Sequence, residues 1–178
     1  MIKIKLFILA IILPCLLYSQ ESTVFPIDPD TKLVSYQGVV QMNGTQDELY
    51  VRGIDWLNKY YKNPFDVSRV RNRESGVIEV MHRIELTNDV DGVNLQAGTV
   101  NYELRIEFKP GRYRYTLTNL TWRQASRFPI ERWLNKEEQS YSPLWETYIQ
   151  QVDLKAKEII ENLKNGMQPV EVKPEEKW

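Results

Sequence analysis

The stretch from Gly98 to Arg123 constrains the fold of this chain more than any other. Val100, Tyr102, Leu104, Ile106 and Phe108 occupy even positions, while Asn101, Glu103, Arg105, Glu107 and Lys109 occupy the odd ones. Successive side chains of a strand point to opposite faces, so this period of two predicts a strand buried on one face and wet on the other. Pro110-Gly111 supplies a turn, after which Tyr113, Tyr115 and Leu117 continue the apolar face, with Arg112, Arg114, Thr116 and Thr118 opposite. The phase flips at Leu120 and Trp122, which predicts a bulge near Thr118-Asn119. A hairpin with so long an apolar face needs a second layer to lie on.

Residues 1–19 read as a secretory signal: Lys3 and Lys5, then the apolar run Leu6 to Leu17, then Ser19 before Gln20. That run falls short of the about 20 residues a membrane span needs, and no transmembrane segment is expected in the mature chain. Cleavage near Ser19 sends the protein to the periplasm or cell envelope. Cys15, the only cysteine, lies inside the run behind Leu13-Pro14, which does not suit a lipid anchor, so the mature chain has no thiol chemistry. The formal charge is -1 and becomes slightly more acidic when Lys3 and Lys5 leave. A nucleic-acid binder normally carries a strongly basic footprint, so none is expected as partner.

Residues 20–32, polar with Pro26 and Pro29, read as a flexible, exposed leader, residues 33–164 as a single domain and 165–178 as a flexible charged tail. Within the domain, Lys32 to Met42 predicts a first strand, in which Gly38 marks a bulge or a close approach. Thr45 and Glu48 form a capping box that opens a helix with Leu49, Gly53, Trp56, Leu57 and Tyr60 on its apolar stripe, stopped at Asn63-Pro64. Phe65 to Arg71 predicts a short strand, Val77 to Thr87 a longer one, and Asn88 to Ala97 a loop before the central hairpin. Ser142-Pro143 starts a last helix whose stripe runs from Trp145 to Leu163. The predicted fold class is α+β, in the order β-α-β-β-β-β-α: a five-stranded antiparallel sheet with two helices on one face. Its charged face is left open.

The helix Asp47-Glu48-Leu49-Tyr50 through Trp56-Leu57, the entry Gly76-Val77-Ile78, the strand Tyr102-Glu103-Leu104 and above all Gly111-Arg112-Tyr113-Arg114-Tyr115-Thr116 with Thr118-Asn119 resemble the family called domain of unknown function 4468. The resemblance covers roughly Leu33 to Leu163. It implies an exported bacterial protein with a fold like one half of the TATA-binding protein, and it brings no catalytic residues. Fold likeness does not carry DNA binding with it. Minor-groove wedges are apolar, and the wet face here offers Glu103, Arg105, Glu107, Lys109, Arg112 and Arg114.

Arg105, Arg112 and Arg114 are the foremost ligand-facing candidates, because guanidinium forks suit a carboxylate or phosphate. Their plainer use follows from the turn, which sets Glu107 opposite Arg114 and Lys109 opposite Arg112: a cross-strand ion pair on a solvated face. Phe128 and Trp133, in the long connection Gln124 to Ser142, suit either an interface hot spot or a cover for the end of the core. His82, the sole histidine, falls in phase with Ile78, Val80 and Ile84 and reads as a core or sheet-edge imidazole. Asp89 to Asn94 resembles a calcium loop but lacks the distal glutamate, and its residues are ordinary turn formers. The pairs Glu79/Glu85 and Glu103/Glu107 sit beside arginines that keep carboxylates ionised, so no acid catalyst is expected there. No metal and no cofactor are predicted. The expected function is a non-catalytic binding or assembly module for an envelope protein, peptide or anionic glycan, with a small hydrolase of an envelope glycan or peptide as the alternative. A third use, strand addition at a free sheet edge, would make it a structural adaptor.

Overall fold

The computed structural model describes residues 25–123 and 127–169; the stretch 1–19 expected to be a signal, with Cys15, lies outside them. Strand β1 (Tyr36–Gln41) leads to helix α1 (Gln46–Tyr60), the short helix α2 (Pro64–Val67), and strands β2 (Ser68–Asn72), β3 (Val77–Val90), β4 (Val93–Lys109), β5 (Arg112–Arg123) and β6 (Arg127–Pro129). A 3-10 turn (Ile130–Leu134) and helix α3 (Leu144–Gly166) complete the chain. The antiparallel sheet has the expected five strands in the order β1-β5-β4-β3-β2, and the three-residue β6 pairs with β5 as a sixth. Both long helices lie on one face and the charged face is open, as the alternation requires.

The central hairpin pairs Glu107 with Arg114 and Lys109 with Arg112. Its bulge falls where the phase of the sequence flips: Tyr102 stands opposite both Asn119 and Leu120, with Asn119 at φ 54°. Val100, Tyr102, Leu104, Ile106, Phe108, Tyr113 and Leu117 are all buried. Helix α1 begins with the expected capping box, in which the Thr45 N–H donates to Glu48 Oε2 at 2.7 Å and the Glu48 N–H to Thr45 Oγ1 at 3.2 Å. Gly38 marks a close approach, not a bulge: a Cβ there would lie 2.6 Å from the Tyr115 hydroxyl, and the β1-β5 register is unbroken.

Four expectations are corrected. The described part of the leader is exposed along most of its length, as expected, but it is tied to the fold: Phe25 is buried, and Ile27 bridges Val34. Phe65 stands in α2, because Pro64 at the first helical position starts a turn before the chain can extend. Asn88 to Ala97 is not a loop but the outer part of the β3-β4 hairpin, turned at Asp91-Gly92 with φ 55° and 81°. The tail begins later than Asn165, since α3 runs to Gly166 and Met167 is buried. Among the described residues no helix is long and apolar enough to cross a membrane.

Candidate functional site

Strand β3 is fourteen residues long, and β2 pairs only with its first four, Val77 to Val80. From Met81 onward its outer edge has no neighbouring strand among the described residues, whereas its inner edge is paired with β4 throughout. The cause is local: the α2 turn delivers the chain to Ser68, so β2 has room for five residues before the Asn72 to Gly76 turn. An unpaired edge presents main-chain donors and acceptors in alternation.

A groove of about 930 Å³ occupies this gap. Tyr60, Tyr61, His82, Ile84, Tyr102 and Ile159 line it on the helix side, while Arg69, Met81, Arg83, Asn101 and Arg123 line it from the open face, so the groove wraps around the outer edge of β3. Its rim is basic. Lys62, Arg69, Arg83, Arg123 and Lys155 stand against Asp66 and Glu158, and Lys155 is paired with Glu158 at 2.7 Å. A second hollow of about 540 Å³ shares His82, Arg83, Ile84, Lys155 and Glu158 and extends along β3 to Gln151 and Leu154.

His82 is the expected sheet-edge imidazole, exposed to the groove on one side and sheltered on the other by Tyr61 and Tyr102, whose rings lie 5.3 and 6.3 Å away, edge-on. Burial, and secondly the Arg83 charge, push its pKa below the usual imidazole value, against a smaller opposite pull from Glu85. The Tyr61 and Tyr102 hydroxyls bond each other at 3.0 Å, and burial drives both far above the ordinary phenol range. The unfolded chain therefore takes up a proton at His82 before the folded one does, and stability falls as pH drops through the unfolded value of about 6.5. In urea unfolding between pH 7.5 and 5.5, a range given as about one unit either side of that value, His82→Gln should lose less stability than the wild type, with no pH-dependent difference above neutrality. Parallel pH profiles would show that His82 is not shielded.

The sequence candidates lie elsewhere and apart. Arg105 pairs with Glu79 across β3 and β4 and lies 3.6 Å from Glu107; Arg114 reaches Glu107 at 2.5 Å. These exposed pairs contribute only about 0–1 kcal/mol each, but they neutralise the arginines expected to meet a ligand. Arg112 faces Lys109 and makes no ion pair among the described residues. Phe128 and Trp133 belong to the opposite end of β5, about 30 Å from Arg112 by strand rise. Trp133 is 1% exposed and packs on Trp122, Trp145 and Tyr148 at 5.7, 6.4 and 5.9 Å, so it closes the core and cannot dock a partner. Phe128, half-buried against Trp122 under the Arg132 guanidinium, belongs to the same cover. Asp89 Oδ1 accepts the Gly92 N–H at 2.8 Å, which is turn chemistry. The groove itself was hidden from the sequence, because it depends on where β2 stops.

No curated protein matches the chain. Its structure is similar to that of a TBP-like protein from Parabacteroides distasonis, with a TM-score of 0.66 and 17% identity over 82% of this chain and 98% of that one. It is also similar to a DUF4468 family protein from Bacteroides ovatus, with a TM-score of 0.65 and 16% identity over 84% of this chain and 94% of that one. At such identities the likeness is one of fold. Residues 36–123, which hold the central hairpin, α1 and most of the groove, match the family described as "Domain of unknown function (DUF4468) with TBP-like fold", and the chain belongs to that family.

Proposed function

We propose that this protein is an exported, non-catalytic binding module of the bacterial envelope, and that the groove at the edge of β3 is where it binds. The observation that carries this reading is the position of the groove: a large hollow with a basic rim, wrapped around main-chain groups that have no strand beside them among the described residues. Its chemistry favours holding over reacting. Among the described residues the His82 ring donates to no carboxylate that would orient it, and the Tyr61 and Tyr102 hydroxyls, bonded to each other and driven upward in pKa, are poor nucleophiles. A hydrolase would need a base aimed at a nucleophile. Export rests on the sequence pattern of residues 1–19, and an envelope protein, a peptide or an anionic glycan fits the basic rim.

The test uses the chain purified from expressing bacteria, whose N-terminus should be found at or near Gln20 by mass spectrometry. Partners are then captured from envelope extracts with the wild type, with the groove variant Arg69→Glu, Arg123→Glu, and with the sheet-face variant Arg112→Glu, Arg114→Glu. Loss of the same partner with the groove variant and its retention with the sheet-face variant is expected. The reverse pattern would overturn the assignment.

A further inference from the structure

The unpaired part of β3 has a feature that says what kind of ligand fits. Thr87 donates its N–H to Gln151 Oε1 at 3.0 Å, and its C=O accepts from Gln151 Nε2 at 2.8 Å. Both main-chain groups of Thr87 therefore point away from β4, and a side-chain amide on α3 takes the place of a neighbouring strand. Along a continuous strand the direction alternates, so the N–H and C=O of Glu85 and Arg83 point outward as well. Among the described residues no group outside the sheet ladder bonds to them. The gap from Met81 to Leu86 is thus bounded by β2 at one end and the Gln151 amide at the other, and it spans roughly 20 Å, the length of a six-residue strand.

Resting on the groove assignment above, we infer that an extended, acidic segment of another protein adds as a strand to the outer edge of β3 between Met81 and Leu86. An added strand would bond Arg83 and Glu85 through its own main chain. Its side chains would alternate. Those on the helix side would lie along Leu154, which is 72% exposed, and call for apolar residues. Those on the open face would meet Arg69, Arg83 and Arg123 and call for carboxylates. Arg83 lies 4.0 Å from Glu85, an exposed and weak pairing that leaves its guanidinium available. The basic rim thus selects an alternating apolar-acidic sequence over an alternating apolar-basic one.

The probe is the peptide acetyl-(Val-Glu)4-amide, titrated by calorimetry into the purified chain beside acetyl-(Val-Lys)4-amide. Two further copies of the acidic peptide carry N-methyl groups, one at every valine and one at every glutamate. Within a strand those two sets of N–H groups face opposite sides. The acidic peptide should bind at least about tenfold tighter than the basic one, and one methylated copy should lose binding while the other keeps it. Arg83→Pro, which removes an outward N–H, should weaken binding. Acid-selective binding that tolerates both methylations, or neither, would overturn strand addition and leave the groove assignment standing. Binding that survives Arg69→Glu, Arg123→Glu would overturn the groove itself, and no binding of the acidic peptide would overturn this inference.

Discussion

Trp133→Ala should destabilise the protein by about 3–5 kcal/mol, the range for removing a large aromatic side chain from a core. Trp133 is 1% exposed and is held by Trp122, Trp145 and Tyr148, with Ile130 buried in the same turn. None of these neighbours can swing in to fill the space, because Trp122 is fixed in β5 and Trp145 and Tyr148 in the first turns of α3. The indole N–H has no acceptor among the described residues, so Trp133→Phe should cost much less than the alanine change. Denaturant unfolding of both variants checks the pair. A Trp133→Ala loss under about 1 kcal/mol, with partner capture abolished, would restore the side chain to an interface role.

Gly53→Leu should destabilise by about 3 kcal/mol, although helix propensity alone favours leucine over glycine by about 1 kcal/mol. Helix α1 lies on the sheet through this residue. A Cβ at Gly53 would stand 2.4 Å from Phe108 Cζ and 3.2 Å from Ile78 Cδ1. Phe108 is the far end of a flexible side chain, yet it is 1% exposed and bounded by Tyr50 at 5.9 Å and Tyr113 at 6.3 Å, so it has nowhere to go. The helix must lift instead, and its last turn carries Tyr60, which lines the groove with Tyr61. A fall in the urea midpoint is expected; a rise would show that propensity outweighs packing at this position.

The parts of the fold that were legible in the sequence are those where one local rule acts alone. The alternation from Val100 to Phe108 set the strand, its buried face and its partner, and the flip at Leu120 located the bulge. Thr45 and Glu48 marked the start of α1 because a capping box needs only residues three apart. Where rules compete, the tertiary structure decided. Asn88, Asp89, Asn94 and Gln96 look like loop formers, but Asp91-Gly92 between Val90 and Val93 is a two-residue hairpin turn, and the long ladder carries the polar residues along. Phe25 sits in a polar, proline-containing stretch and is nonetheless buried, because the turn at Asp28 to Lys32 folds that stretch back so that Ile27 bridges Val34 and the Ser35 N–H donates to the Pro26 carbonyl.

The candidate site was less legible, for a physical reason. Arg105, Arg112 and Arg114 were visible because a wet strand face displays its charges in sequence, but the same alternation that displays them also sets carboxylates across from two of them. The groove gathers residues from α1, β2, β3, β4, β5 and α3, and its central property, the missing strand beside Arg83 and Glu85, is set by the length of a different strand. Only His82 pointed to it, as an imidazole in phase with a core it does not fully enter.

The most direct measurement is amide hydrogen exchange across β3, read residue by residue with and without acetyl-(Val-Glu)4-amide. In the free protein the Arg83 and Glu85 amides should exchange fast, while Ile84 and Leu86, bonded to β4, and Thr87, bonded to Gln151, exchange slowly. With the peptide at saturation, Arg83 and Glu85 should slow by at least about tenfold, and the amides around Arg112 and Arg114 should not change. Protection of Arg83 and Glu85 already present in the free protein, or protection appearing at the sheet face instead of β3, would contradict the account.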